Sequence, residues 1–108
     1  MINKNWLMLA GLGLGCLAMG AQAAGDPVKG RVKAETCMGC HAVATYKTVY
    51  PTYNVPKIGG QHAAYIIAAL KEYKAGDRKF KTMHANASTL SEQDMEDIAA
   101  YVSGAADK

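Results

Sequence analysis

Cys37-Met38-Gly39-Cys40-His41 is the stretch from which the rest of the chain can be read. One helical turn separates the two thiols, so they leave the backbone on the same side, and a histidine follows the second at once. Thiols so placed can add across the two vinyl groups of one porphyrin, with His41 ligating its iron. Five residues then supply three bonds to a single covalently attached haem of the c type.

Two other chemistries use cysteines at this spacing. A thioredoxin-like dithiol needs a βαβ setting, and nothing in the chain reads as a set of strands. A zinc site needs four ligands, whereas beyond His41 the sequence offers only His62 and His84, each alone. Haem attachment is the reading that the remainder of the chain supports.

Residues 1–23 have the form of a secretory signal peptide. Lys4 provides a short positive start, Trp6 to Met19 an apolar run, and Ala21-Gln22-Ala23 a small-x-small cleavage site. A retained membrane anchor is the alternative, but Gly11, Gly13 and Gly15 interrupt a run already short of the roughly 20 apolar residues that span a bilayer. Leu14-Gly15-Cys16 loosely suggests a lipoprotein processing site, with Gly13 standing where a large aliphatic residue is wanted. With Cys16 removed, the only cysteines left are Cys37 and Cys40, which suits an exported protein whose thiols are consumed as thioethers.

Residues 24–108 form one small domain. A domain of this size buries a limited core and commonly needs a disulfide, metal or cofactor to complete it. Its only phenylalanine is Phe80, so a buried porphyrin would supply the missing apolar centre. Eleven basic side chains stand against nine acidic ones, too even a balance for a nucleic-acid-binding domain.

The pattern is helical throughout. Asp26-Pro27 opens a first helix that runs from Val28 directly into the haem motif, with Lys29, Arg31 and Lys33 as its wet face. Residues 42–60, rich in Tyr and Pro and closed by Gly59-Gly60, read as an ordered loop, long enough to wrap a haem edge. Gln61 to Ala75 is predicted as a helix from Ala63, Ile66, Ile67 and Leu70, capped by Gly76 and exposing Lys71, Glu72 and Lys74. Ser91 to Ser103 is another, with the capping box Ser91-x-x-Asp94, the stripe Met95, Ile98, Ala99 and Val102, and Gly104 as a stop. Glu92, Asp94, Glu96 and Asp97 favour its N-terminal half electrostatically. No useful length alternates with period two, so the fold class is all-α with loops.

The second iron ligand is to be sought between the last two helices, in Gly76 to Leu90. Met38 lies inside the attachment motif and Met95 in an apolar stripe where packing explains it. Met83 remains, expected in a loop and flanked by polar residues. His62 and His84 are the rivals, each more simply read as an exposed or loop-bonded imidazole.

The order Cys37-x-x-Cys40-His41, Pro56-x-Ile58-x-Gly60-Gln61, Tyr65, Gly76-x-Arg78, Met83 and Ala100-Tyr101-Val102 resembles a class I cytochrome c. It is most similar to the small periplasmic domains of the bacterial c4 and c553 type, over essentially all of residues 24–108. The resemblance implies a small class I cytochrome c fold, helices and loops wrapped around one covalent haem c. It implies thioethers at Cys37 and Cys40, His41 as proximal and Met83 as distal ligand. The Pro56 carbonyl would hold the other nitrogen of His41, and Ile58 would pack on the haem where the family often has leucine.

Both axial positions would then be filled, so the implied role is outer-sphere electron transfer in the periplasm, as a soluble carrier or a small subunit of an oxidoreductase. A haem enzyme or gas sensor, with Met83 off the iron or readily displaced, is the competing class. The domain's small size leaves little room for the substrate pocket it would need. Lys71, Lys74, Arg78, Lys79 and Lys81 crowd the approach to Met83, countered by Glu72 and Asp77, and form a candidate docking surface for an acidic redox partner. The export reading predicts that intact mass of the protein from an exporting host corresponds to a chain beginning at Ala24. Retained residues 1–23, or lipid on Cys16, would overturn it.

Overall fold

The computed structural model describes residues 25–42, 46–48 and 52–105. The apolar segment read as a signal peptide lies outside the described residues, and no described helix is long and apolar enough to cross a membrane. Five helices succeed one another along the chain: α1 (Pro27–Lys33), α2 (Glu35–His41), α3 (Ala63–Ala75), α4 (Lys81–Ser88) and α5 (Glu92–Ser103). Apart from one isolated antiparallel bridge, Lys47 to Asn54, the described residues are helix, turn and loop. The all-α reading holds.

The helix ends form for the reasons visible in the sequence. Asp26 caps α1, its carboxylate accepting from the backbone N–H groups of Val28 (2.8 Å) and Lys29 (3.3 Å), and Pro27 takes the first turn where its missing N–H costs nothing. Ser91 and Asp94 close the capping box of α5 in both directions. Gly76 ends α3 at φ 85°, a left-handed conformation that side-chain-bearing residues rarely adopt.

Three expectations need correction. The first helix does not run unbroken into the haem motif: the buried Ala34 interrupts it (φ −87°, ψ 0°), so that α2 begins anew at Glu35. The Gln61 helix starts at Ala63. Lys33 does not belong to a wet face, because its ammonium lies 2.6 Å from the Asp94 carboxylate and 2.7 Å from that of Asp97. Lys29 and Arg31 are exposed as expected.

Asp97 is the unusual member of that group, a carboxylate only 1 % exposed. It accepts from the Asp26 backbone N–H (2.8 Å), the Lys33 ammonium (2.7 Å) and the Gln93 amide (2.9 Å), so its oxygens are satisfied as a buried charge requires. The same place is where α1 and α5 meet most closely. A Cβ on Gly30 would lie 1.9 Å from the Asp97 carbonyl oxygen, so only glycine lets the two backbones touch. The core lies beside this crossing, formed by Met95, Ile98, Ala99 and Val102 of α5, Ile66 and Leu70 of α3, and two alanines, Ala34 and Ala87.

Hydrogen bonds from Lys33 are the largest cause that holds the Asp94 and Asp97 carboxyls down to about 2, against an ordinary 3.8. A folded-state pKa below the unfolded one stabilises the fold at pH values above the unfolded pKa, and that contribution disappears as pH falls through the folded one. Thermal melts taken across pH should therefore show stability declining between about pH 4 and about pH 2. Asp97→Asn should melt lower at neutral pH and show a shallower acid decline. An acid limb unchanged by that substitution would place the titrating groups elsewhere.

Candidate haem site

α2 carries both cysteines and the histidine on one continuous turn and a half. Cys37 is half-buried and Cys40 exposed, and both thiols are free. Burial pushes the Cys37 thiol up from its ordinary value, against a backbone hydrogen bond that lowers it, with the Cys40 charge adding a smaller contribution to the rise. That is unlike a redox dithiol, whose attacking cysteine is held low.

His41, the last residue of α2, lies with Nδ1 2.6 Å from the Pro56 carbonyl oxygen. A carbonyl can only accept, so Nδ1 carries the proton and donates it, and Nε2 is left with its lone pair. The bond fixes ring orientation and tautomer together, the usual arrangement behind a metal-ligating imidazole.

These groups line one cleft of about 480 Å³, within the usual range for a cofactor pocket. Cys37, Cys40, His41, Pro56, Ile58 and Met83, the six residues predicted from sequence, all lie in its wall. His62 and His84 do not. His62 precedes α3 as an exposed N-cap, and the exposed His84 gives its Nδ1 proton to the Tyr73 carbonyl at 2.7 Å.

Met83 is not in a loop. It sits in the first turns of α4, half-buried and packed against the core, so it has a packing reason to be there besides its thioether. α4 itself is set by the turn before it. Glu72 accepts Arg78 Nε at 2.6 Å through its side chain, and through its carbonyl the backbone N–H of Asp77 at 2.9 Å. Arg78 also donates to the Tyr65 hydroxyl at 3.2 Å and lies over the rings of Tyr65 and Tyr73, 5.6 and 5.3 Å from their centroids. The Tyr65 hydroxyl, then Glu72, raise the Arg78 pKa still further above an already high value.

Sequence reading did not anticipate the aromatic part of the wall. Tyr53 and Phe80 meet edge to face, with centroids 4.9 Å apart, and both line the cleft. The signal available was Phe80's singularity in residues 24–108, together with the tyrosines of the 42–60 loop. Tyr53 and Tyr65 are about half exposed along this apolar wall, a surface that a porphyrin face would cover. Two thiols, an imidazole with Nε2 available and a thioether, bordering one apolar cleft, fit the donor set of a c-type haem. Among the described residues, no three His, Cys, Asp or Glu side chains gather as they would around a bare metal ion.

The family model for cytochrome c matches residues 28–106. The chain belongs to the cytochrome c family. The class I, c4-type resemblance read from the sequence holds. It is 40% identical to cytochrome c4 of Stutzerimonas stutzeri over 94% of this chain and 50% of that one. It is 38% identical to cytochrome c4 of Pseudomonas aeruginosa, over 75% of this chain and 39% of that one. With cytochrome c-554(548) of Halomonas halodenitrificans it shares 39% identity, over 74% of this chain and 96% of that one. The chain thus spans half or less of the cytochrome c4 relatives and nearly the whole of the c-554(548) relative.

Proposed function

We propose that this cytochrome c domain carries one haem c, bound through thioethers at Cys37 and Cys40, with His41 and Met83 as axial ligands. It serves as an exported electron-transfer protein of the periplasm, acting as a soluble carrier or a small oxidoreductase subunit after loss of residues 1–23. The haem supplies one-electron chemistry between ferric and ferrous iron.

The observation that supports this reading is the joint appearance of His41, its Pro56 carbonyl and Met83 in the wall of one cleft, with both other histidines outside it. The protein's residues tune and insulate. Pro56 holds the His41 ring, Ile58 and the Tyr53–Phe80 pair exclude water, and a thioether from Met83 favours the reduced state relative to a second imidazole. Low-dielectric walls act in the same direction, since they disfavour the form with the extra positive charge.

Absorption spectra in both redox states, with and without carbon monoxide or cyanide, test the ligation. Met83→Ala should keep the haem covalently attached, open the iron to added ligands and lower the reduction potential. The assignment is wrong if His62→Ala or His84→Ala removes the native ligation signature and Met83→Ala leaves it intact.

Docking of an acidic redox partner is the second part of the proposal. Of the five basic residues near Met83, Lys71 pairs with Glu92 at 3.1 Å, Arg78 with Glu72 at 2.6 Å, and Lys74 donates to the Leu90 carbonyl. A carbonyl leaves the Lys74 charge in place, so the steering charge falls to Lys74, Lys79 and Lys81, the last two being exposed residues that alternate with the cleft-lining Arg78, Phe80 and Thr82. Electron-transfer rates with the physiological partner should fall as ionic strength rises. Charge reversal at Lys79 or Lys81 should slow association more than reversal at Lys29 or Arg31 of α1. Salt-independent rates, or equal effects at both places, would assign docking to the uncharged rim of the cleft.

A further inference from the structure

Met83 and His84 are adjacent on α4 and are directed to different places: Met83 lines the cleft and His84 does not. The His84 imidazole instead reaches the C-terminal turn of α3, where Nδ1 donates to the Tyr73 carbonyl at 2.7 Å. The last carbonyls of a helix have no partner within it, and histidine is one of the side chains suited to supply one. The Gly76 backbone N–H reaches the same oxygen at 3.2 Å, so His84 completes from α4 a cap begun by α3's own turn.

This bond has a geometric consequence for its neighbour. Successive residues leave a helix about 100° apart, so anchoring one side chain sets the rotation of the helix about its axis and the direction of the next. Besides the turn held by Glu72 and Arg78 and the packing of Met83 and Phe80, the His84 bond is the side-chain hydrogen bond that ties the start of α4 to α3. Phe80, its N-cap residue, makes no side-chain capping bond, and the Lys74 contact with the Leu90 carbonyl acts beyond the helix's other end.

We infer that His84 is a positioning residue for Met83. Through the Tyr73 carbonyl it holds α4 at the rotation that keeps the Met83 sulfur in the cleft, and so keeps added ligands from displacing it. This rests on the reading of Met83 as an axial ligand.

The test is cyanide titration of the ferric holoprotein, followed optically, for wild type, His84→Ala, His84→Asn, Ser91→Ala and Met83→Ala. Asparagine can place an amide N–H near the position of Nδ1. Ser91→Ala weakens α5 by removing its cap, without touching α4. His84→Ala should bind cyanide severalfold more tightly than wild type, up to about tenfold, as expected for one lost hydrogen bond. His84→Asn should recover most of that difference, Ser91→Ala should match wild type, and Met83→Ala should bind tightest.

Wild-type affinity in His84→Ala, with Met83→Ala still much tighter, would overturn the role of His84 and leave the ligand assignment standing. An equal gain in Ser91→Ala would also overturn it, because general loosening would then be the cause. So would an asparagine variant that behaves like the alanine one. Met83→Ala no tighter than wild type would overturn the axial-ligand reading, and this inference with it.

Discussion

The contact between α1 and α5 at Gly30 is the constraint on which the rest of the structure depends. The Asp97 carbonyl lies where a side chain at residue 30 would begin, and the Asp97 carboxylate, in the same residue, binds Lys33 and the backbone N–H of Asp26. One residue of α5 thus fixes α1 near its start and at its last turn. A buried ion pair is weak support for stability, since desolvation offsets much of its attraction, but it makes a wrong crossing costly by leaving a charge unpaired. Because Ala34 joins α1 to α2 without a spacer, fixing α1 also fixes Cys37, Cys40 and His41. The candidate attachment site is held by a crossing that contains none of its residues.

The cleft is assembled by a second device, used twice. In both His41 and His84 the Nδ1 proton is donated to a backbone carbonyl, that of Pro56 in one case and Tyr73 in the other. A ring held this way has a defined tautomer and almost no rotational freedom about its last bond. The location of the carbonyl determines the role of the ring. Pro56 lies in the loop that forms one wall, so the His41 ring borders the cleft. Tyr73 lies in the last turn of α3, so the His84 ring is drawn out of the cleft and α4 is drawn against α3. Identical side-chain chemistry yields a candidate ligand in one place and a fastening in the other, and burial or spacing alone would not have separated them.

Local features were legible in the sequence wherever the physics is local. Asp26 with Pro27, the Ser91–Asp94 box and Gly76 are capping signals that need only a few neighbouring residues, and each forms as predicted. The stripe Met95, Ile98, Ala99 and Val102 is buried in full. The six candidate site residues share one cleft, although only the attachment motif is local. α4 was not legible because Lys81 to Ser88 reads Lys-Thr-Met-His-Ala-Asn-Ala-Ser, with weak helix formers at several positions and no capping residue before it. It is helical through what it packs against: Ala87 is fully buried, Met83 touches the core and His84 ties it to α3. Lys33, whose partner is Asp97, was misread for a related reason. The two are 64 positions apart, and a charged residue with no visible partner is by default assigned to the surface.

The basic residues around Met83 show how far a cluster in sequence can differ from a field in space. Five cations fall within eleven positions, Lys71 to Lys81, and on counting alone they outweigh Glu72 and Asp77. Folding brings Glu92 from α5 to Lys71 and turns Glu72 back onto Arg78, so two of the five are neutralised at contact distance. Arg78 is also stacked on tyrosines and is part of the turn that leads into α4, which makes its charge a structural component of the cleft. At a distance beyond a Debye length of about 8 Å a paired cation and its anion present almost no net charge, whereas an unpaired lysine retains its own up to that limit. Among the described residues, Lys74, Lys79 and Lys81, with Lys57 at the cleft wall, are cations near the site for which no carboxylate stands at ion-pair distance. Apart from Lys74 on α3, the long-range attraction exerted from this face therefore originates at the rim of the cleft itself, where electron exchange requires the closest approach.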